Sequence, residues 1–114
     1  MNNLLNQFII SSLSENSKLY AMQETQKPTL VEKEIIQNLA FKNELDIEQH
    51  PNVHSQIEKA TKLGNSYRRK VAILFHDDKG LKRVDTTIWA NGSKYICLKG
   101  GVWIPKQRIV EIKV

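Results

Sequence analysis

Basic and aromatic side chains alternate along the last third of the chain, and this pattern has the clearest chemical potential. Small β-domains that bind single-stranded nucleic acid combine a positive groove with aromatic rings on which bases stack. A structural explanation is also open, in which the rings pack in the core or at its rim and the lysines protect sheet edges. The residues concerned are Arg83, Trp89, Lys94, Tyr95, Lys99, Trp103, Lys106 and Arg108.

Two other groups of residues invite a chemical interpretation, and neither is complete. His50 and His54 are four apart, a spacing that places two imidazoles on one helix face in zinc sites, but Pro51 sets His50 at or outside the helix cap. A structural zinc needs four protein ligands, and no cysteine lies nearby. The acidic residues of Asp77–Gly80 are typical of a turn. We therefore predict a non-enzymatic protein with no metal and no cofactor.

Composition indicates a single cytoplasmic domain. The chain has 114 residues, and its single cysteine, Cys97, cannot form an internal disulfide, as expected in a reducing compartment. No apolar run is long enough to span a bilayer, and the first basic residue is Lys18, so the positive start of a signal peptide is missing. We expect no membrane partner.

The net charge of +5 is unevenly distributed. Residues 1–50 contain four lysines and seven acidic residues, whereas residues 51–114 contain thirteen Lys or Arg and five acidic residues. Arg68, Arg69 and Lys70 contribute to this basic half. Such an excess attracts polyanions, although a solvated, lysine-rich surface that keeps the protein soluble is an equal alternative.

The first half of the chain predicts helices. Residues 1–27 form a poorly ordered or short-helix extension, and residues 28–49 a helical segment. Thr29 and Glu32 have capping-box spacing, and an apolar residue recurs every four positions from Val31 to Leu39. A second helix is expected from Pro51 to Leu63, with Gly64-Asn65 as its stop.

From Arg68 the apolar period changes to two, which predicts β-strands joined by tight turns. Asn91-Gly92 is a strong hairpin signal, and a single 3₁₀ turn fits Pro105–Arg108. The five predicted strands are Val71–His76, Leu81–Ala90, Tyr95–Lys99, Val102–Ile104 and Ile109–Lys113.

Five short strands with one helical turn before the last outline a small antiparallel SH3-like or Sm-like barrel, because closure removes exposed edges. The fold class predicted is thus α+β, with N-terminal helices followed by this barrel, and residues 50–114 forming one unit. An open five-stranded sheet packed on the two helices is the alternative.

The segments Thr86–Ala90 and Leu98–Ile109 resemble a family of small uncharacterised Bacteroidetes proteins with a C-terminal SH3-like or Sm-like β-barrel. The resemblance covers about residues 50–114 and implies the domain and its boundaries, with no activity attached. Leu98-Lys99-Gly100 is similar to the turn through which Sm-like barrels contact RNA, but the Thr86–Ala90 strand lacks the matching acidic-asparagine pair.

Two functions follow as predictions. The first is an RNA- or DNA-binding module that uses the basic and aromatic residues named above. The second is a protein-interaction or oligomerisation module that uses an aromatic groove or the amphipathic helix near the N-terminus, with a protein partner or a second copy as its ligand. Exposure of Trp89 and Trp103 favours binding, whereas their burial favours packing.

Overall fold

The computed structural model describes residues 27–114, so the prediction for residues 1–27 falls almost wholly outside the described part. Within it, one α-helix, α1, spans Val53–Tyr67, and short 3₁₀ helices span Lys33–Asn38 and Lys106–Arg108. The strands are β1 Thr29–Leu30, β2 Val71–Asp77, β3 Gly80–Thr86, β4 Ile88–Asn91, β5 Tyr95–Leu98, β6 Val102–Pro105 and β7 Ile109–Lys113.

These strands form two separate sheets, so the predicted closed five-stranded barrel is wrong. One sheet has four strands in the order β1-β3-β2-β7, and the other has three in the order β4-β5-β6. The predicted continuous strand Leu81–Ala90 is divided at Thr87 into β3 and β4, and there the chain passes from one sheet to the other. The alternative of one open five-stranded sheet is excluded by the same division.

The sheets remain open because the helix and its flanks cover the strand edges that closure would have paired. Helix α1 packs against β4 and β7. At β7, the Gln56 side-chain oxygen accepts the Ile112 N–H at 2.9 Å, and the His50 N–H donates to the Val110 carbonyl at 2.8 Å. Hydrogen bonds of this kind pair the free backbone groups of an edge strand without a further strand.

Helix α1 confirms the second predicted helix, although it ends four residues later than expected. Val53, Ile57, Ala60 and Gly64 are buried on one face, with the spacing of an amphipathic helix. Gly64 is therefore inside the helix and is not its stop. The helix ends at Arg68, whose backbone is left-handed at φ 54° and whose N–H donates to the Gly64 carbonyl at 2.9 Å.

The α-helix predicted from Thr29 is absent, and the described α-helix is mid-chain. Instead, β1 pairs in parallel with β3, and the Val31 N–H donates to the Arg83 carbonyl at 2.9 Å. Glu32 precedes a 3₁₀ helix and makes no side-chain cap. Pairing with the sheet edge therefore replaces the predicted capping box, and only Ile36 of the 3₁₀ helix is buried.

The core lies between the inner faces of the two sheets and α1. It includes Phe75, Ile88, Ile104 and Ile109, none of which is exposed. Among residues 27–114, no helix is long and apolar enough to cross a membrane.

Candidate functional site

The outer face of the three-stranded sheet carries three half-exposed aromatic side chains. Ile88, Ile96, Leu98 and Ile104 point inward and are fully buried. Because side chains alternate across a strand, their neighbours point outward. The exposed fractions are 48% for Trp89, 49% for Tyr95 and 54% for Trp103. We call this surface the aromatic face.

Strand register determines how the three rings are arranged. Trp103 on β6 is paired with Cys97 on β5, and Cys97 with Ala90 on β4. The register shifts between Ile88 and Ala90, so Trp89 is the extra residue of a bulge, a feature that redirects a side chain. With strands about 4.8 Å apart, the outer two strands are roughly 10 Å apart. Cys97 lies between them and is only 8% exposed.

The three strands of the aromatic face and their turns carry only positive charge, although Glu44 from an earlier segment lines a hollow beside Tyr95. No aspartate or glutamate occurs between Asp85 and Glu111. Lys94 and Lys99, at the two ends of β5, are exposed and form no ion pair with any residue of the described range. Lys106 donates from Nζ to the Gly92 carbonyl at 2.9 Å.

Several hollows among the described residues border this face. A small cleft of about 280 Å³ is lined by Arg68, Thr87, Trp89 and Lys99. A larger open groove of about 590 Å³ includes Lys94, Tyr95 and Lys106 together with His54 of α1. Each of these two combines an aromatic ring with two basic side chains, whereas a further hollow of about 360 Å³ beside Tyr95 contains the acidic Glu44.

The structure brings six of the eight predicted site residues to the aromatic face and its rim. Trp89, Tyr95 and Trp103 form the face itself, and they are not core residues. The three lysines of the prediction lie at its rim: Lys94, Lys99 and Lys106.

Arg83 lies apart from this group, on β3 of the four-stranded sheet. Its Nε donates to the Asp85 carboxylate at 2.8 Å. This hydrogen bond and the negative charge of Asp85 raise the pKa of Arg83 above its ordinary value. Its charge is therefore locally compensated.

Arg108 is buried and holds the fold together. It is 6% exposed, and it donates to the Asp78 carboxylate at 2.7 Å, to the His76 carbonyl at 3.2 Å and to the Asn43 carbonyl. Its guanidinium also lies 5.6 Å from the centre of the Phe41 ring. Although Arg108 also lines a hollow beside Tyr95, these contacts engage its guanidinium within the fold.

Asp78 completes this anchor. Its carboxylate accepts the backbone N–H of Lys42 at 2.9 Å and of Asn43 at 3.2 Å as well as the guanidinium of Arg108. Burial alone raises the pKa of Asp78, but these hydrogen bonds outweigh it and lower the pKa below the ordinary value. The carboxylate thus stays charged and ties the 42–43 segment to the sheet.

The remaining polar candidates have structural partners. The Asp77 carboxylate accepts Lys82 Nζ at 3.0 Å and the Gly80 N–H at 3.0 Å, as a turn residue does. His50 Nδ1 accepts the Asn52 N–H at 2.9 Å. Within residues 27–114, no three His, Cys, Asp or Glu side chains are grouped as metal ligands.

Arg68 is the residue of this surface that sequence reasoning left out of the site. It was noted only as part of the basic run at the start of the β-module, because the helix was expected to stop at Gly64. The structure extends the helix to Tyr67 and makes Arg68 its C-terminal cap.

The chain matches no protein-family model, no curated protein and no solved structure. The resemblance to small Bacteroidetes proteins therefore stays a prediction.

Proposed function

We propose that this protein is a non-enzymatic module that binds single-stranded nucleic acid on the aromatic face. The observation that supports the proposal most is the combination of three half-exposed aromatic rings with rim lysines, of which Lys94 and Lys99 form no ion pair among the described residues. Stacking of a base on an aromatic side chain contributes about 1–3 kcal/mol and tolerates any base. Backbone phosphates then fall among the lysines.

The distribution of ion pairs supports this location over the rest of the basic half. In the four-stranded sheet, Lys82 pairs with Asp77 at 3.0 Å and Arg83 with Asp85 at 2.8 Å. Around the aromatic face, by contrast, Lys94 and Lys99 have no acidic partner among the described residues. An uncompensated cation attracts a polyanion more strongly than a paired one.

Single strands suit this face better than duplexes. A base can stack on a protein ring only when its own face is free, whereas duplex bases are already stacked on their neighbours. The face also lies on a sheet of short strands, and α1, the α-helix of residues 27–114, packs against β4 and β7 and does not protrude to enter a major groove. We therefore expect single-stranded RNA or DNA to bind more tightly than a duplex of equal length.

The test is fluorescence anisotropy with a labelled ten-nucleotide oligo-dT or oligo-U across a salt series. With about three phosphate contacts, the logarithm of affinity should fall against the logarithm of salt with a slope of roughly −2. Lys99→Gln and Lys106→Gln should each weaken binding. Arg83→Gln, which removes a charge from the other sheet, is the matched control. Affinity that is independent of salt would contradict the proposal.

The protein-interaction function remains the alternative, because Trp and Tyr are also enriched at protein interfaces. A partner for this face would be an acidic peptide, since Lys94, Lys99 and Lys106 lie at its rim. A stable protein complex that survives nuclease and high salt would favour it over nucleic acid.

We further propose a reducing, cytoplasmic location. It is supported by the single cysteine, Cys97, which is buried as a free thiol.

A further inference from the structure

Helix α1 is brought unusually close to the bend between the two sheets, and this places Arg68 beside the aromatic face. A Cβ at Gly64 would lie less than 3.0 Å from the Ile88 carbonyl oxygen and 2.9 Å from Thr87 Cγ2. Only glycine permits such an approach. The C-terminal end of the helix therefore reaches the start of β4.

Thr87 links the three chain segments that meet at this point. Its side chain is 4% exposed, and its hydroxyl donates to the Arg68 carbonyl at 3.4 Å. Its carbonyl accepts the Lys99 N–H at 2.9 Å. One buried threonine thus fixes the backbones of both Arg68 and Lys99 on either side of the cleft that they line with Trp89.

The conformation of Arg68 is costly for its residue type. It is the only non-glycine residue with positive φ in the described part of the chain. Glycine, or sometimes asparagine, usually occupies this position at the end of a helix. An arginine here gives up backbone stability, and it lines the cleft while it remains exposed to solvent.

From this geometry we infer that the cleft between Arg68 and Lys99 is a phosphate subsite, in which a backbone phosphate is held while the adjoining base stacks on Trp89. At about 280 Å³ the cleft is below the usual size of a small-molecule pocket and suits one phosphate group. A guanidinium fork matches phosphate geometry, and the lysine adds a point charge. The inference rests on the proposed function and assigns one place within it.

The left-handed backbone of Arg68 allows a substitution that should weaken binding without lowering stability. Arg68→Asn removes the guanidinium, yet asparagine tolerates the left-handed conformation, so the melting temperature should not fall. Arg69→Asn is the matched control, because it removes the same charge from the next residue, which does not line the cleft. Both full-length variants are titrated with the same labelled oligo-dT.

Arg68→Asn should weaken binding about tenfold, in line with the loss of one charge-assisted contact. It should also reduce the steepness of the salt dependence by about 0.7. Arg69→Asn should have a markedly smaller effect on both. Equal effects of the two variants would overturn the subsite, and so would an unchanged salt dependence for Arg68→Asn.

Fluorescence of Trp89 provides the second readout. In Trp103→Phe, where Trp89 is the only tryptophan, oligo-dT should quench the emission, and adding Arg68→Asn should shift that quenching to about tenfold higher concentration. Inorganic polyphosphate should compete without quenching, since it has no base. Quenching that is unaffected by Arg68→Asn would refute the subsite.

Failure of the subsite and failure of the proposed function give different results. If the wild-type protein binds oligo-dT and Trp103→Ala weakens binding, but Arg68→Asn acts like Arg69→Asn, the function stands and the subsite is wrong. If the wild-type protein does not bind oligo-dT at low salt, both are wrong.

Discussion

Replacing Gly64 with alanine should destabilise the protein, although helix propensity alone predicts the opposite. In a helix interior, alanine is favoured over glycine by about 1 kcal/mol. Here the added Cβ would lie 2.9 Å from Thr87 Cγ2 and closer still to the carbonyl oxygen of Ile88. The nearest obstacle is backbone, so it cannot rotate away as a flexible side chain would.

The size of the effect follows from these two opposing terms. Overpacking of a close-packed site costs about 1–3 kcal/mol, and a rigid backbone neighbour favours the upper end. After the propensity gain is subtracted, we expect a net loss of about 1–2 kcal/mol. For a domain of this size, the melting temperature should then fall by roughly 5–15 °C.

Thermal and urea unfolding followed by circular dichroism would measure this loss. Ser66→Ala is the matched control, because Ser66 is exposed in the last turn of the same helix and gains propensity without a clash. It should raise stability by a few tenths of a kcal/mol. A Gly64→Ala protein as stable as the wild type would refute the close approach of the helix to the bend.

Three further results are expected. Trp103→Ala should weaken oligonucleotide binding by about 1–3 kcal/mol in anisotropy and lower stability by about 1–2 kcal/mol, because the half-exposed ring buries only part of its surface; a loss of stability of about 4 kcal/mol or more would show that the ring is a core residue. Arg83→Gln should change affinity less than twofold, since Asp85 already compensates this charge; a tenfold loss would extend the site to the other sheet. The contribution of Asp78, whose folded pKa is lowered, is complete above about pH 4 and lost as the pH falls through that pKa; unfolding measured between pH 2 and 6 should therefore depend less on pH in Asp78→Asn, and an unchanged dependence would contradict the anchor.

The strands and turns could be predicted because their signals are local. Alternating apolar residues depend only on near neighbours, and β7 has the predicted bounds, Ile109–Lys113. A hairpin joins β4 and β5 as predicted, but Asn91 is still part of β4 and the bend lies at Ser93 and Lys94. The division at Thr87 could not be predicted, because Thr86 to Trp89 is a strand-favouring run with no glycine or proline to mark a break. Helix packing against the strand edges, a long-range effect, decides between a closed barrel and two sheets.

The prediction of an α-helix in residues 28–49 is wrong for a related reason. Val31, Ile35 and Leu39 have helical spacing, but local spacing does not reveal that Val31 pairs with Arg83, about fifty residues later. Tertiary pairing of this kind overrides a weak local preference.

The sequence could predict that basic and aromatic residues form the site, but it could not predict which of the basic residues lie there. Arg83 and Arg108 look like Lys99 in the sequence, and only the fold shows that Asp85 and Asp78 neutralise the two arginines. Arg68 is the opposite case, a residue that the fold adds to the site. Its place at the aromatic face depends on the contact of Gly64 with a distant strand.

The most direct test of the central proposal is the fluorescence of Trp89 and Trp103 during titration with oligo-dT. Two single-tryptophan proteins, Trp89→Phe and Trp103→Phe, report the rings separately. Nucleic acid bound on the aromatic face predicts saturable quenching of both, reversed by added salt and weaker for a duplex of the same length. Binding that leaves both emissions unchanged would contradict the proposal, since the nucleic acid would then lie elsewhere.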